Sequence, residues 1–302
     1  MIKIKTIGRI PTQEELARIT QQTKVMPFRI CYAGEGGDTW KVLRQEETYS
    51  DKSVGNREIT TLQRSISEIA KLIGAEPINL IHIGPGEGIE IPVLFERIKP
   101  TNKAVYTGVD ISKEMLVNTA RLQSAQLKGV KPLWYQTDIE TEGNLELVAE
   151  ETRKQGAKRN LVCLLGQGVI SSNEKSWENI SQCLKSGDFF YLTIEGDDIA
   201  RRDEICASYD LPFVRGLISI GLRRAGYDTR KGSFKTSFNP KKSRAEVHFT
   251  TGYRGDILSL TSYKPTPKNL QKRLIRQGFE IKHLKFYKDL HTFAVLCQKR
   301  NH

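Results

Sequence analysis

The sequence has little on which to build covalent cross-links. Its five cysteines, Cys31, Cys163, Cys183, Cys206 and Cys297, are odd in number, scattered and without a Cys-x-x-Cys pair. That spacing argues against a zinc site or a disulfide framework, so no metal is expected and a reducing cytoplasm is. Long apolar runs are also missing. No stretch approaches the ~18 apolar residues of a spanning helix, and Met1–Arg9 breaks every apolar run with a base or a glycine, so neither membrane attachment nor a signal-peptide core is expected. Repeats and low-complexity tracts are absent. What remains, 302 residues with 38% hydrophobic and 27% charged side chains, is an ordinary globular composition, long enough for one full core plus added elements.

The net charge of +12 is uneven. Residues 201–302 carry 22 Lys and Arg against 8 Asp and Glu, a balance of +14, whereas the first 200 residues balance at −2. A basic third can attract nucleic acid, an anionic lipid surface or a small carboxylate, or can simply be a solvated face. Charge alone does not separate these.

Apolar spacing gives the order of elements. Ile59, Leu62, Ile66, Ile69, Ala70 and Ile73 fall three and four apart, the stripe of a helix with one buried side. Strands are expected at Ile78–Ile83, Ala104–Val109, Pro132–Thr137, Asn160–Leu165 and Phe189–Ile194. Helices are expected between and after them, at about Ile89–Ile98, Lys113–Leu127, Leu145–Gln155, Glu174–Leu184 and Asp197–Ser208. This rhythm predicts an α/β, doubly wound and mainly parallel seven-stranded sheet. Thr266–Gln277 reads as its last helix, with Phe279–Phe286 and His291–Gln298 as an antiparallel pair that closes it through one reversed edge strand. Between Asp210 and Pro265 the rhythm breaks into a helix (Leu211–Ala225), a Gly- and Lys-rich turn region and a strand-like Glu246–Thr250. The domain reading is a sheet domain of residues 55–209 and 266–302, capped at its carboxyl edge by residues 1–54 and an insertion at 210–265.

Three features fall at strand ends. Ile83-Gly84-Pro85-Gly86-Glu87-Gly88 runs from the first strand into a helix. Its glycines permit a sharp turn and close approach of a ligand, and the helix beyond supplies N–H donors. Glycine turns also occur as plain bends, and a dinucleotide site begins the same way. Asp110 ends the second strand, where its carboxylate can accept from two ribose hydroxyls, as in a nicotinamide site too. Asp138 with Ile139 closes the third strand. A Gly-x-Gly-x-Gly loop, a second-strand acid and a third-strand acid resemble the S-adenosylmethionine site of Rossmann-like methyltransferases, in which the last acid meets the adenine amino group. The competing explanation is that both aspartates are helix N-caps. One departure stands out: His82 takes the place of the usual first-strand acid.

Further motifs run along the chain: Tyr32, Gly36-Gly37, Trp40 and Tyr49, followed by Arg57-Glu58, then Leu164-Leu165-Gly166-Gln167-Gly168-Val169-Ile170, Ser186-Gly187-Asp188, Ser208-Tyr209-Asp210 and Ala245-Glu246-Val247-His248. In these the chain resembles the histidine Nα-methyltransferase family of ergothioneine biosynthesis, which includes relatives that methylate tryptophan-derived amines: the first set keeps that family's opening run and the others match its later segments. The resemblance implies S-adenosylmethionine held by Gly84, Gly86, Gly88, Asp110, Ile111, Asp138, Ile139 and Gly166. It implies catalytic roles for Tyr49, Tyr209 and Glu246, with Tyr32, Ser171, Ser172, Asn173 and His248 touching a small-molecule amine or amino acid.

Two departures fall on the acceptor side. Ser171-Ser172-Asn173 stands where the family holds the substrate amine with an Asn, and His248 replaces a short polar residue. The same chemistry on a different amine is the simplest consequence. Two alternatives stay open: an RNA or DNA methyltransferase using the basic third, and a cofactor-binding homologue without turnover. Against the first, the one Asn-Pro step, Asn239-Pro240, lies far from the fourth strand and lacks the aromatic that stacks a target base.

Overall fold

The computed structural model describes residues 2–32, 54–98, 104–165, 174–252 and 255–300. Its main sheet is built from β1 (Lys5–Thr6), β2 (Ile78–Ile83), β3 (Val105–Asp110), β4 (Lys131–Gln136), β5 (Arg159–Leu164), β6 (Phe189–Glu195), β10 (Phe279–Tyr287) and β11 (Thr292–Lys299). A separate antiparallel sheet holds β7 (Gly232–Asn239), β8 (Arg244–Thr251) and β9 (Gly255–Tyr263). The helices are α1 (Gln13–Thr23), α2 (Val54–Ile73), α3 (Ile91–Arg97), α4 (Lys113–Leu122), α5 (Asn144–Gln155), α6 (Glu174–Cys183), α7 (Arg202–Ser208), α8 (Pro212–Arg224) and α9 (Pro267–Arg276).

The main sheet has the order β1-β4-β3-β2-β5-β6-β11-β10, parallel except at β11. Both faces are covered, and the strands show why. In β2, Ile81 and Ile83 enter one apolar cluster while Ile78 and Leu80 enter the other. In β6, Phe190, Leu192 and Ile194 face the first cluster, Phe189 and Tyr191 the second. Side chains alternate across a strand, so a continuous apolar run is stable only between two helical layers.

The carboxyl-terminal pair differs from expectation. The reversed strand, β11, is not the edge. It lies between β6 and β10, and β10 forms the border, antiparallel to β11. Burial explains the placement: six consecutive residues of β11, Thr292–Cys297, are buried, as suits a strand paired on both sides, whereas β10 alternates buried and exposed positions. At the opposite border, Lys5–Thr6 pairs with β4 and makes an eighth strand, so the N-terminal segment contributes to the main sheet before it turns away. Its direction is then set by α1, where Thr12 and Glu15 close a capping box.

The expected turn region after Gly226 instead contains β7. Phe234, Thr236 and Phe238 alternate with Lys235 and Ser237, which is the period of a strand with one apolar face. The helix expected at Asp197–Ser208 is also divided, with a 3₁₀ turn at Ile199–Arg201 preceding α7. A third cluster joins Leu16, Met26 and Ile30 to Ile205, Leu217, Leu222, Val247 and Phe249. Segments far apart in sequence therefore share one core: the N-terminal helix, α7, α8 and one face of the small sheet.

No single described helix is long and apolar enough to cross a membrane. The bent pair Ile199–Ser208 and Pro212–Arg224 passes by length and composition together, but Ile205, Leu217, Ile218 and Leu222 are buried in the third cluster.

Phe190 is fully buried and stacks on Phe279, the ring that begins β10. Phe190→Ala should cost about 3–5 kcal/mol through lost transfer energy and the cavity left behind. Urea unfolding should show a lowered midpoint; an unchanged one would mean that this layer does not hold the sheet together.

Candidate cofactor and acceptor site

Parallel strands bring the loops after β2, β3 and β4 to one edge. Gly84, Gly86 and Gly88 all adopt positive φ (61°, 55° and 72°), a conformation that strains any residue with a Cβ. The loop is pinned from two sides. Gly84 N–H donates to the Val109 carbonyl at 2.8 Å, which ties it to the end of β3. From α4, the Thr119 hydroxyl donates to the Gly86 carbonyl and Gln123 Nε2 donates to the Glu87 carbonyl at 2.9 Å. A Cβ on Gly88 would lie within 3 Å of Thr119, Gln123 and Ile91, so this glycine allows α4 to sit against the loop. Thr119 and Gln123 were not expected as site residues. Their signal in the sequence is modest: two polar residues four apart, on the side of an amphipathic helix that is otherwise apolar.

Asp110 lies at the last position of β3, partly buried, where its Oδ1 accepts from the Ser112 N–H at 2.8 Å. Ser112 itself caps α4 through the Met115 N–H. Asp110 is therefore not that helix's cap, although it helps shape the turn into it. A carboxylate has about four acceptor positions, and the Ser112 N–H uses one of them. Room remains for two ribose hydroxyls, so the donor set the cofactor offers fits this carboxylate. Burial raises the Asp110 pKa to about 6 against the lowering effect of the Ser112 and Ile111 backbone. Ile111 beside it is held by Gln136 Nε2 on its carbonyl at 3.1 Å.

Asp138 is turned inward and nearly inaccessible. Oδ1 accepts from the Glu140 N–H (3.1 Å), Oδ2 from the Thr141 hydroxyl (2.7 Å), and Arg29 Nη1 stands 3.2 Å from Oδ2. The same Arg29 nitrogen reaches Glu140 at 2.5 Å, so a residue from the N-terminal 3₁₀ turn Phe28–Cys31 locks the loop after β4. Asn144 tightens this corner further, donating to the carbonyls of Asp138 and Arg9 while accepting from the Arg9 N–H. Ile139 is partly buried beside it, its carbonyl held by Asn179. The turn-holding role of Asp138 is thus directly visible.

His82 does not substitute for an acid in charge. It is 1% exposed, on the face it shares with Leu80, with Nδ1 3.2 Å from the Tyr106 hydroxyl. Burial lowers its pKa to about 4, which makes it a neutral ring at physiological pH.

On the small sheet, Ala245, Val247 and Phe249 face the third cluster, so Glu246 and His248 point to the opposite side. That side also carries Tyr263, whose ring packs against Trp177 of the main core. Glu246 therefore lies on the face of the small sheet opposite the third cluster. Its Oε1 accepts from Arg244 Nε at 2.6 Å and from Asn239 at 3.3 Å, and Oε2 lies 3.6 Å from His248 Nε2. Burial works against the charge, but Arg244, Asn239 and His248 outweigh it and lower the Glu246 pKa. Arg244 was not foreseen as a partner. Tyr209 follows α7 and is buried in the third cluster, while Tyr32 packs edge-on against Phe28. Arg57 lies 3.7 Å from Glu195, at the end of β6. Tyr49, Gly166, Ser171, Ser172 and Asn173, along with Gly36, Gly37 and Trp40, lie outside the described residues.

A doubly wound sheet with a pinned glycine loop and a strand-end carboxylate is a frame that holds a nucleotide-like cofactor, and the family match makes this one a methyltransferase that uses S-adenosylmethionine. The chain belongs to the family of histidine-specific, S-adenosylmethionine-dependent methyltransferases, whose model matches residues 12–252. Solved structures share the fold at low identity. An S-adenosylmethionine-dependent methyltransferase from Clostridium acetobutylicum superposes with a TM-score of 0.50 at 14% identity, covering 87% of this chain and 99% of that one. Magnesium protoporphyrin IX methyltransferase from Synechocystis, solved with S-adenosylhomocysteine, gives 0.47 at 12% identity, covering 90% and 97%. No curated protein sequence matches the chain.

Asp110 supplies a test with two opposite signs. Ribose hydroxyls donate to the ionised carboxyl, so cofactor affinity should be full above pH 6 and fall by up to about tenfold per unit below it. For the protein alone the sign reverses: a carboxyl whose folded pKa is raised contributes stability below its unfolded value and loses it as pH rises through about 6. Asp110→Asn should then stabilise the free protein at pH 7, while Asp110→Ala weakens cofactor binding by about 1.5–3 kcal/mol. Calorimetry showing pH-independent affinity and an indifferent Asp110→Ala would remove Asp110 from the site.

Proposed function

We propose that this protein transfers a methyl group to the nitrogen of a small amine that also carries a carboxylate, an amino acid or a close relative. The observation that carries the proposal is the ionised Glu246, buried beside Arg244 and His248 on the face of the small sheet opposite its apolar core. In a chain of this family, a carboxylate so placed suits an N–H-bearing group of the acceptor. Arg244 already engages Oε1, which leaves recognition to Oε2 and to His248 beside it. In this proposal residues 210–265 and the N-terminal segment form the cap, Asp138 and Ile139 border the adenine, and the tyrosines 32, 49 and 209 hold the acceptor. The five cysteines are unpaired and four are buried, in keeping with a cytoplasmic setting.

Bound cofactor supplies an electrophilic methyl, and the protein has to align a nucleophile ~3–3.5 Å from it and exclude water. An amine must be neutral to attack, since an ammonium has no lone pair. Tyrosine hydroxyls can hold a carboxylate and an amine without adding a charge, so the chain need not supply a dedicated base.

Five cations of the basic third are committed within the fold, which takes them away from nucleic acid and leaves a small acceptor the simpler reading. Arg202 is bidentate with Asp197, Arg244 engages Glu246, Lys264 contacts Glu195, Arg230 contacts Asp228, and Arg224 donates to the carbonyls of Ile30 and Cys31. Cations engaged in this way contribute less to phosphate binding. Random RNA or duplex DNA should accordingly bind no tighter than the ~10⁻⁴–10⁻⁶ M of nonspecific association at physiological salt. Submicromolar binding, or methylation of tRNA or DNA, would reverse the choice.

An amine panel with labelled cofactor identifies the acceptor. With it, Glu246→Gln should lower kcat/KM roughly tenfold to a hundredfold, the range for one charge-assisted hydrogen bond. Tyr49→Phe should slow transfer without altering cofactor affinity. Wild-type kinetics in both variants would place the acceptor elsewhere.

A further inference from the structure

At the carboxyl end of β6, Glu195, already noted 3.7 Å from Arg57, also belongs to a buried ion pair. Lys264, the residue after β9, is 1% exposed, and its Nζ stands 2.7 Å from Oε2 of Glu195, itself 5% exposed. The backbone anchors the lysine, whose N–H donates to the Ser243 carbonyl at 2.7 Å. The ammonium also hydrogen-bonds the Tyr209 hydroxyl, and its 5.8 Å distance from the ring centroid suits an approach to the phenol oxygen. Burial opposes the Lys264 charge, but Glu195 and Tyr209 more than offset it and raise its pKa. Burying such a pair gives little net stability, because desolvation consumes most of the Coulombic gain; apolar residues of similar volume often do as well or better. Fold stability alone is therefore a weak reason for this arrangement.

The chemistry of the three groups supplies a better one. An ammonium has donors only, a carboxylate acceptors only, and a phenol both. Lys264 can only donate to Tyr209, so the Tyr209 proton must point away from the lysine. Arg57 stands against Oε1 of Glu195 and Lys264 against Oε2, so removing Lys264 would free Oε2 to compete for the Tyr209 proton. With Lys264 between them, Glu195 is satisfied and the phenol is polarised into a better donor.

We propose that Lys264 is a positioning residue for methyl transfer: it directs the Tyr209 hydroxyl proton toward the carboxylate of the acceptor, with Glu195 serving as its counter-charge. The proposal rests on the amine-and-carboxylate acceptor of the preceding section.

The test removes both charges together, so that no buried carboxylate is left unpaired. Lys264→Met combined with Glu195→Leu should fold with near-native thermal stability by circular dichroism and bind S-adenosylmethionine as the wild type does. With an acceptor from the amine panel, its KM should rise and kcat/KM should fall roughly tenfold to a hundredfold, as for Tyr209→Phe alone. Adding Tyr209→Phe to the double variant should cost no more than about twofold further, because the hydroxyl is already misdirected. Lys264→Gln with Glu195→Gln keeps the pair hydrogen-bonded yet offers the phenol an acceptor, and should show the same coupled loss without relying on an apolar replacement. If Tyr209→Phe costs its full factor in either background, or the paired variants retain wild-type KM, Lys264 is structural and the proposal is overturned. If Tyr209→Phe is harmless in the wild type with a confirmed acceptor, the placement of Tyr209 against the acceptor is itself wrong, and the role of Lys264 falls with it.

Discussion

In a parallel sheet every strand finishes at the same edge, and this constraint underlies the rest of the molecule. The register of β2 against β3 and β5 sets the ends of those strands side by side, and β3 carries the alignment on to β4. Gly84, Asp110 and Asp138 thereby become neighbours although 54 positions of sequence separate the first from the last. Backbone pairing deep in the core brings this about, and the loops inherit the alignment.

The small sheet is ordered by a different rule. One face of β8 is apolar and meets α8 and the N-terminal elements, which forces Glu246 and His248 to the opposite side. The polar cluster around Glu246 is thus a by-product of core packing. Arg29 then ties the N-terminal part of that packing to the loop after β4, so that the small sheet and the main-sheet edge are not independent. The family motif Ser186-Gly187-Asp188 belongs at the other end. Asp188 accepts from Arg153 and from the N–H groups of Lys185 and Asn160, which fixes the turn before β6, remote from the chemistry.

Much of this was legible in the sequence. The parallel strands and their helices follow from apolar periodicity, and the glycine loop and Asp110 stand where the strand ends predict. What was hidden depends on pairing partners. Lys5–Thr6 is too short to announce itself and becomes a strand only because β4 offers a free edge. The Gly- and Lys-rich stretch at Gly232–Asn239 looked like a turn, since its alternation is masked by lysines and serines on the exposed face. The position of β11 inside the sheet could have been read from its unbroken apolar run, but the short hairpin drew attention to adjacency and not to which partner lies outside. Arg244, Arg29 and Lys264 were invisible because a charge looks the same in sequence whether it is solvated or buried against an acid.

The interior position of β11 also bears on how the chain is made. It is synthesised well after β6, yet it covers the flank of that strand, whose seven residues are all buried in the folded molecule. While translation proceeds, β6 presents an apolar strand with an open edge, the kind of surface that recruits another chain. The sheet cannot close from the first strand onward as residues emerge. It must wait for Thr292–Lys299 to enter between β6 and β10.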